Sequence, residues 1–86
     1  MFGGETVKAK LSFDESLVNV VLDYFGNDIH LIDTNDGRFT INAEVTGSNV
    51  FLGWIFQFGD KAKILEPKSL RDDMKKLNST VDEMYS

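Results

Sequence analysis

The chain has 86 residues, a formal net charge of −5 and no cysteine. A chain of this length forms one domain and buries too little surface for a deep active-site cavity. The acidic charge disfavours binding to a phosphate backbone, which requires clustered lysine and arginine. The lack of cysteine excludes disulfides, zinc-thiolate sites and thiol catalysis, and it suits a reducing cytoplasm. We expect one domain, with a core over residues 5–67 and a C-terminal helix over 68–86, taken from a longer protein.

The first third of the chain predicts a strand followed by a helix. Apolar and polar residues alternate from Thr6 to Phe13, which is typical of a half-buried strand. Asp14 is a favourable helix N-cap, and an apolar stripe with helical spacing follows it. Gly26 stands just past that stripe, where a glycine closes a helix at low cost.

The middle of the chain predicts a hairpin and a second helix. A short strand over 29–33 precedes the turn at Asp36-Gly37, which favours a hairpin. The next strand alternates cleanly, with its inward residues at Phe39, Ile41, Ala43 and Val45. A second apolar stripe containing Trp54 then ends at Gly59, and Trp54 is expected in the core.

The end of the chain predicts a fourth strand and a third helix. The strand runs over 61–66 and stops at Pro67, which cannot donate to a sheet ladder. The helix over 69–85 carries a narrow apolar seam with spacings of four and three. The pattern leaves open whether this seam packs on its own domain or on a partner. Its apolar positions are Leu70, Met74, Leu77, Val81 and Met84.

This order predicts an α+β fold of the ferredoxin-like βαββαβ class. We expect a four-stranded antiparallel sheet with two helices on one face, plus the C-terminal helix. The first and fourth strands are expected at the edges of the sheet. The second face should be bare and polar, and it presents Lys8, Lys10, Ser12, Thr40, Asn42 and Glu44.

The residues that the usual activities of this fold require are missing from this sequence. No aromatic residue stands on the polar face for base stacking, and no cysteine pair is present for metal transport. The loop at Asp14-Glu15 is acidic and would repel the phosphate group that an acylphosphatase binds. His30 stands alone without a partner for acid–base chemistry. We therefore predict a non-catalytic binding or assembly module with no cofactor and no metal.

Several segments resemble the C-terminal extension, or WCX domain, of WYL-domain transcriptional regulators. They are VKAKLSFD at 7–14, WIFQFG at 54–59, AKILEP at 62–67 and the pair Leu70-Arg71. The resemblance covers the chain from about Val7 to Leu77 and agrees with the predicted order of elements. The matched aromatic, glycine and proline residues are expected to have structural roles. Arg71 is the one matched polar position, which suggests a contact with another domain.

The resemblance implies the regulatory domain of a bacterial, cytoplasmic transcription factor that contributes to effector sensing, dimer assembly or both. The implied partners are the upstream WYL and winged-helix domains and a second copy in a homodimer. DNA would be bound only by the missing N-terminal domain, a nucleotide or oligonucleotide is a possible effector, and no membrane is involved. We place the functional surface at Lys8, Lys10, Thr40, Asn42, Glu44 and Arg71. The alternatives are a small-molecule sensor of the ACT type and a plain dimerisation module.

Overall fold

The computed structural model describes residues 6–86, which form four strands and three α-helices. Two single turns of 3-10 helix, Glu15–Leu17 and Gly59–Lys61, lead into the first α-helix and the fourth strand. The predicted α+β class with a C-terminal helix is confirmed. In chain order the elements are β1 (Thr6–Asp14), α1 (Val18–Phe25), β2 (Ile32–Asp33), β3 (Arg38–Thr46), α2 (Asn49–Phe56), β4 (Ala62–Glu66) and α3 (Lys68–Met84).

The four strands form one antiparallel sheet in the order β2-β3-β1-β4. β1 and β3 pair along their full length, from Thr6 opposite Thr46 to Asp14 opposite Arg38. β4 pairs with β1 on its other side, so β1 is an inner strand. The expectation that the first strand lies at an edge is therefore wrong, and the edges are β2 and β4.

The odd-numbered residues of β1 and β3 face the helices and form the centre of the core. Leu11, Phe13 and Ile41 have no exposed surface. Full burial of each such side chain contributes about 1.5–3 kcal/mol to the free energy of folding. All three helices add to this core, through Val21 of α1, Leu70 of α3 and three residues of α2, which are Phe51, Leu52 and Ile55.

The start of each of the first two helices is fixed by a side-chain cap. The carboxylate of Asp14 accepts a hydrogen bond from the N–H of Ser16 at 2.9 Å, and this bond lowers the pKa of Asp14. The predicted cap is thus confirmed, although it begins the 3-10 turn and the α-helix starts only at Val18. The hydroxyl of Ser48 accepts from the N–H of Phe51 at 3.3 Å and begins α2.

Trp54 lies between α1 and α2 as the centre of an aromatic cluster. Its ring stacks on Tyr24 with the centroids 3.9 Å apart, and it meets Phe25 and Phe58 edge to face. The expectation of a core tryptophan is met only in part, because Trp54 is half-buried and its stacking partner Tyr24 is 46% exposed. The cluster seals the gap between two helices that are each only eight residues long.

Candidate functional site

The sheet face opposite the helices holds a shallow depression at the end where β1 begins and β3 ends. We call it the open-face depression. Its volume is about 340 Å³, and it is lined by Lys8, Ala9, Lys10, Asn42, Ala43, Glu44 and Glu66. Four of the six predicted surface residues, Lys8, Lys10, Asn42 and Glu44, are therefore brought together. The backbone of the Ala9–Ala43 pair forms its floor, because the side chains of these odd-numbered residues face the helices.

The charges of the open-face depression alternate across the strands. Lys8 stands opposite Glu44, and Lys10 stands opposite Asn42 on one side and Glu66 on the other. Among residues 6–86 the ion pair that forms is elsewhere, between Lys68 and Asp72 at 3.0 Å. The depression thus offers two positive and two negative groups, which suits a polar partner of mixed charge better than a phosphate.

The other end of the same face is closed by Arg38. Its guanidinium donates from Nε to the Ser12 hydroxyl at 2.9 Å and from a terminal nitrogen to the Asp60 carbonyl at 3.3 Å. Ser12 and Thr40, which stand opposite each other, are only 7% and 6% exposed. The prediction that Thr40 belongs to an accessible surface is therefore wrong. Sequence alternation placed Thr40 on the correct face but could not show that this end of the face is covered.

Comparison with protein families matches residues 5–78 to the WCX domain. The chain belongs to the WCX domain family. The resemblance noted in the sequence is thereby confirmed, and the family is a regulatory one found in WYL-type transcription regulators. A search of curated proteins finds no match to the chain.

Arg71 of this WCX domain lies apart from the open-face depression. It stands exposed in the first turns of α3, and its backbone N–H donates to the Pro67 carbonyl at 3.2 Å. On the same helix, the hydrogen bond from the Lys68 ammonium lowers the pKa of Asp72. Arg71 stays a predicted inter-domain contact, and it is not among the residues that line the depression.

Glu66 is the site residue that sequence reasoning missed in this WCX domain. A bulge in the pairing of β1 with β4 sets Lys10 opposite Glu66 but Leu11 opposite Ile64. The extra residue reverses the face on which Glu66 lies relative to simple alternation. A bulge of this kind leaves no signal in the pattern of apolar and polar residues, so the sequence offered nothing to reveal it.

Residues 6–86 of the WCX domain contain neither a membrane-spanning helix nor a cluster of metal ligands. No helix there has the length and apolar character needed to cross a membrane. In the same residues, no group of three or more histidine and acidic side chains is placed to hold a metal ion. His30, the single histidine, is exposed and precedes β2.

Proposed function

We propose that this WCX domain is the C-terminal regulatory domain of a cytoplasmic WYL-type transcription regulator. We propose further that its open-face depression meets the upstream WYL domain and transmits effector binding to it. The observation that carries the proposal is the alternation of Lys8, Glu44, Lys10 and Glu66 around the open-face depression. Complementary charges in such a surface fix the register of a contact and exclude wrong partners, even where they add little affinity.

The shape of the depression favours a domain contact over a buried effector. Pockets for small molecules are usually concave enough to bury most of the ligand, with an apolar lining. This depression is open rather than enclosed, and two carboxylates lie beside its two lysines. An oligonucleotide effector would meet Glu44 and Glu66 together with a net charge of −5. Effector sensing is therefore assigned to the contact between the domains.

The proposal takes the fold to be ferredoxin-like. Supporting this class, each β-α-β unit is split by a strand of the other unit: β3 lies between β1 and β2, and β1 lies between β3 and β4. This arrangement leaves the helices on one face and the depression on the other. It thereby separates a packed side from a side that is available to the rest of the regulator.

The contact is tested by titrating the ¹⁵N-labelled chain with the separately produced upstream part of its regulator. We expect amide shifts around Lys8, Lys10, Asn42 and Glu44. The double variant Lys8→Glu, Lys10→Glu should weaken binding by roughly tenfold, because it places four carboxylates around one depression. The matched control Lys75→Glu, Lys76→Glu makes the same charge change on the exposed side of α3 and should leave affinity unchanged. Shifts confined to α2 or α3 would contradict the proposal.

A second candidate function, dimer assembly, is favoured by the outer side of α2. No charged residue occurs from Ser48 to Gly59, and the outward-facing side chains of Val50 and Phe56 are 81% and 46% exposed. A helix that is apolar on all sides is normally covered on all sides. Gly53 lies between these two residues and is also exposed, so a second helix can approach the backbone of α2 closely.

A further inference from the structure

β3 is paired along only part of one side. Its nine residues all pair with β1, whereas β2 pairs with Phe39 and Thr40 alone. Among residues 6–86, no strand and no backbone hydrogen bond from the loop at 26–31 continues the ladder beyond Thr40 on the β2 side. A free strand edge of this kind presents unpaired backbone donors and acceptors to any extended chain that approaches it.

Two hydrogen bonds establish which residues face this free edge. The N–H of Glu15 donates to the Gly37 carbonyl, so the odd-numbered residues of this segment direct their backbone groups toward β1. The N–H of Thr34 donates to the Arg38 carbonyl, so the even-numbered residues direct theirs toward β2. The alternation of an antiparallel strand then places the backbone groups of Asn42, Glu44 and Thr46 on the free edge.

A pocket lined in part by aromatic rings lies directly beside this edge on the helix side of the sheet. We call it the edge pocket. Its volume is about 400 Å³, and it is lined by Tyr24, Phe25, Glu44, Val45, Thr46 and Phe51. Three aromatic rings from α1 and α2 thus stand next to exposed strand backbone. Glu44 lines both this pocket and the open-face depression, whereas the other five lining residues belong to this pocket and not to the depression.

The two observations together describe a site for an added strand. In strand addition, main-chain hydrogen bonds supply affinity, and pockets for alternate side chains supply specificity. On an incoming strand, one set of alternate side chains would face the edge pocket and the other would lie on the open face beside Glu44. We propose that the free edge of β3, residues 42–46, binds an extended segment of a partner protein with alternating basic and apolar residues.

Charge favours an extended segment with basic residues over a second copy of the chain as the strand that binds this edge. Glu44 is exposed, and an incoming basic side chain would flank it on the open face as Lys8 does from β1. Two copies that paired over the whole of residues 42–46 would set Glu44 directly opposite the Glu44 of the other copy. Like charges directly opposite each other destabilise a strand pair, and each copy also carries a net charge of −5.

The test uses the full ¹⁵N-labelled chain and the capped peptide acetyl-Lys-Val-Lys-Phe-Lys-Val-amide. We expect amide shifts at Asn42, Glu44 and Thr46 and at Tyr24 and Phe25, together with slower hydrogen exchange of the Glu44 amide. A peptide of the same composition ordered Lys-Lys-Lys-Phe-Val-Val should bind at least about tenfold more weakly, because it cannot separate its basic and apolar side chains. Equal binding of the two peptides would overturn the proposal.

Backbone methylation separates strand addition from simple charge attraction. Methyl groups on the backbone amides of the peptide's lysines should block binding of an antiparallel strand. In that orientation the lysines lie opposite Asn42, Glu44 and Thr46, so their backbone N–H groups point at β3. Methyl groups on the valine and phenylalanine amides should block a parallel strand instead. Loss of binding with one set and its retention with the other supports the proposal. Binding that survives both sets overturns it.

Two variants of the domain complete the test. Glu44→Lys should weaken binding of the basic peptide about threefold, as expected for an exposed charge pair. The matched control Glu83→Lys makes the same charge change near the exposed end of α3 and should have no effect. Tyr24→Ser removes one wall of the edge pocket and should weaken binding in a chain whose amide spectrum is unchanged outside the Trp54 aromatic cluster. Concentration-dependent self-association that shifts the amides of Asn42, Glu44 and Thr46 without peptide would instead identify a second copy as the occupant and overturn the proposal.

Discussion

Arg38 joins three separate parts of the domain through one side chain. It belongs to β3, bonds to Ser12 of β1, and reaches the carbonyl of Asp60 in the turn before β4. The planar guanidinium suits this arrangement because its donors point in several fixed directions within one plane. No carboxylate competes for it within hydrogen-bonding distance among residues 6–86. We therefore assign Arg38 a positioning role at the closed end of the open face.

Replacing Arg38 by alanine should destabilise the domain by about 1–3 kcal/mol, because the buried Ser12 hydroxyl loses its donor. The measurement is the free energy of unfolding from urea titration followed by circular dichroism. Arg71→Ala removes the same charge from an exposed helical site and should change stability by less than about 0.5 kcal/mol. Equal effects of the two variants would show that the bonds of Arg38 contribute nothing beyond its charge.

At the scale of the elements, α3 divides into a packed half and an outward half. Leu70 is 2% exposed, and Met74 and Leu77 pack against the core. Met84 is 70% exposed, and Val81 is half-buried without joining the core cluster. The sequence left open whether the apolar seam packs on its own domain or on a partner. The structure shows that the first half of the seam packs on its own domain.

Because of this division, alanine substitutions in the two halves of the apolar seam should lower the stability of the domain by unequal amounts. Leu70→Ala should cost about 2–5 kcal/mol, because it leaves a cavity where α3 meets α2 and β4. Met84→Ala should cost less than about 0.5 kcal/mol in the isolated chain. Thermal and urea unfolding of both variants measure the difference. A large loss of stability in Met84→Ala would mean that the end of α3 is covered, either by its own chain or by a second copy.

The elements that the sequence predicts well are those with local signals. β1 and β3 follow strict alternation, and Asp14 begins a turn of helix as predicted. β2 was expected over five residues but has two, because residues 29–31 do not pair with β3. Pairing depends on the path of the loop from α1, and the local pattern carries no information about that path.

The candidate site, too, could be predicted only where a local sequence pattern determines it. Alternation identified the face that carries Lys8, Lys10, Asn42 and Glu44, because face membership follows from a period of two. It missed Glu66, which reaches the site through a bulge, and it wrongly included Thr40, which the Arg38 end of the face conceals. Both errors arise from contacts between segments that lie far apart in the sequence. The edge pocket was missed for the same reason.

At the scale of the whole molecule, three kinds of surface surround one small core. The open-face depression is of mixed charge, the free edge of β3 is flanked by aromatic rings, and the outer side of α2 is uncharged. Glu44 belongs to both of the first two surfaces, so a domain bound at the depression and a strand bound at the edge would compete for it. The exposed residues of α2 line neither pocket, so a second copy could bind there while one of the other two surfaces is occupied.

The oligomeric state distinguishes the role of α2 from those of the other two surfaces. If its outer side pairs with a second copy, Val50→Asp should shift the chain toward monomer in sedimentation velocity runs over a concentration series. The substitution buries a charge in the interface, while Asp in the first turn of α2 is favourable for the helix itself. Asn78→Asp adds the same charge at an exposed site on α3 and should leave association unchanged. A wild-type chain that stays monomeric at every concentration would remove dimer assembly from the functions of this isolated domain and leave the open-face contact intact.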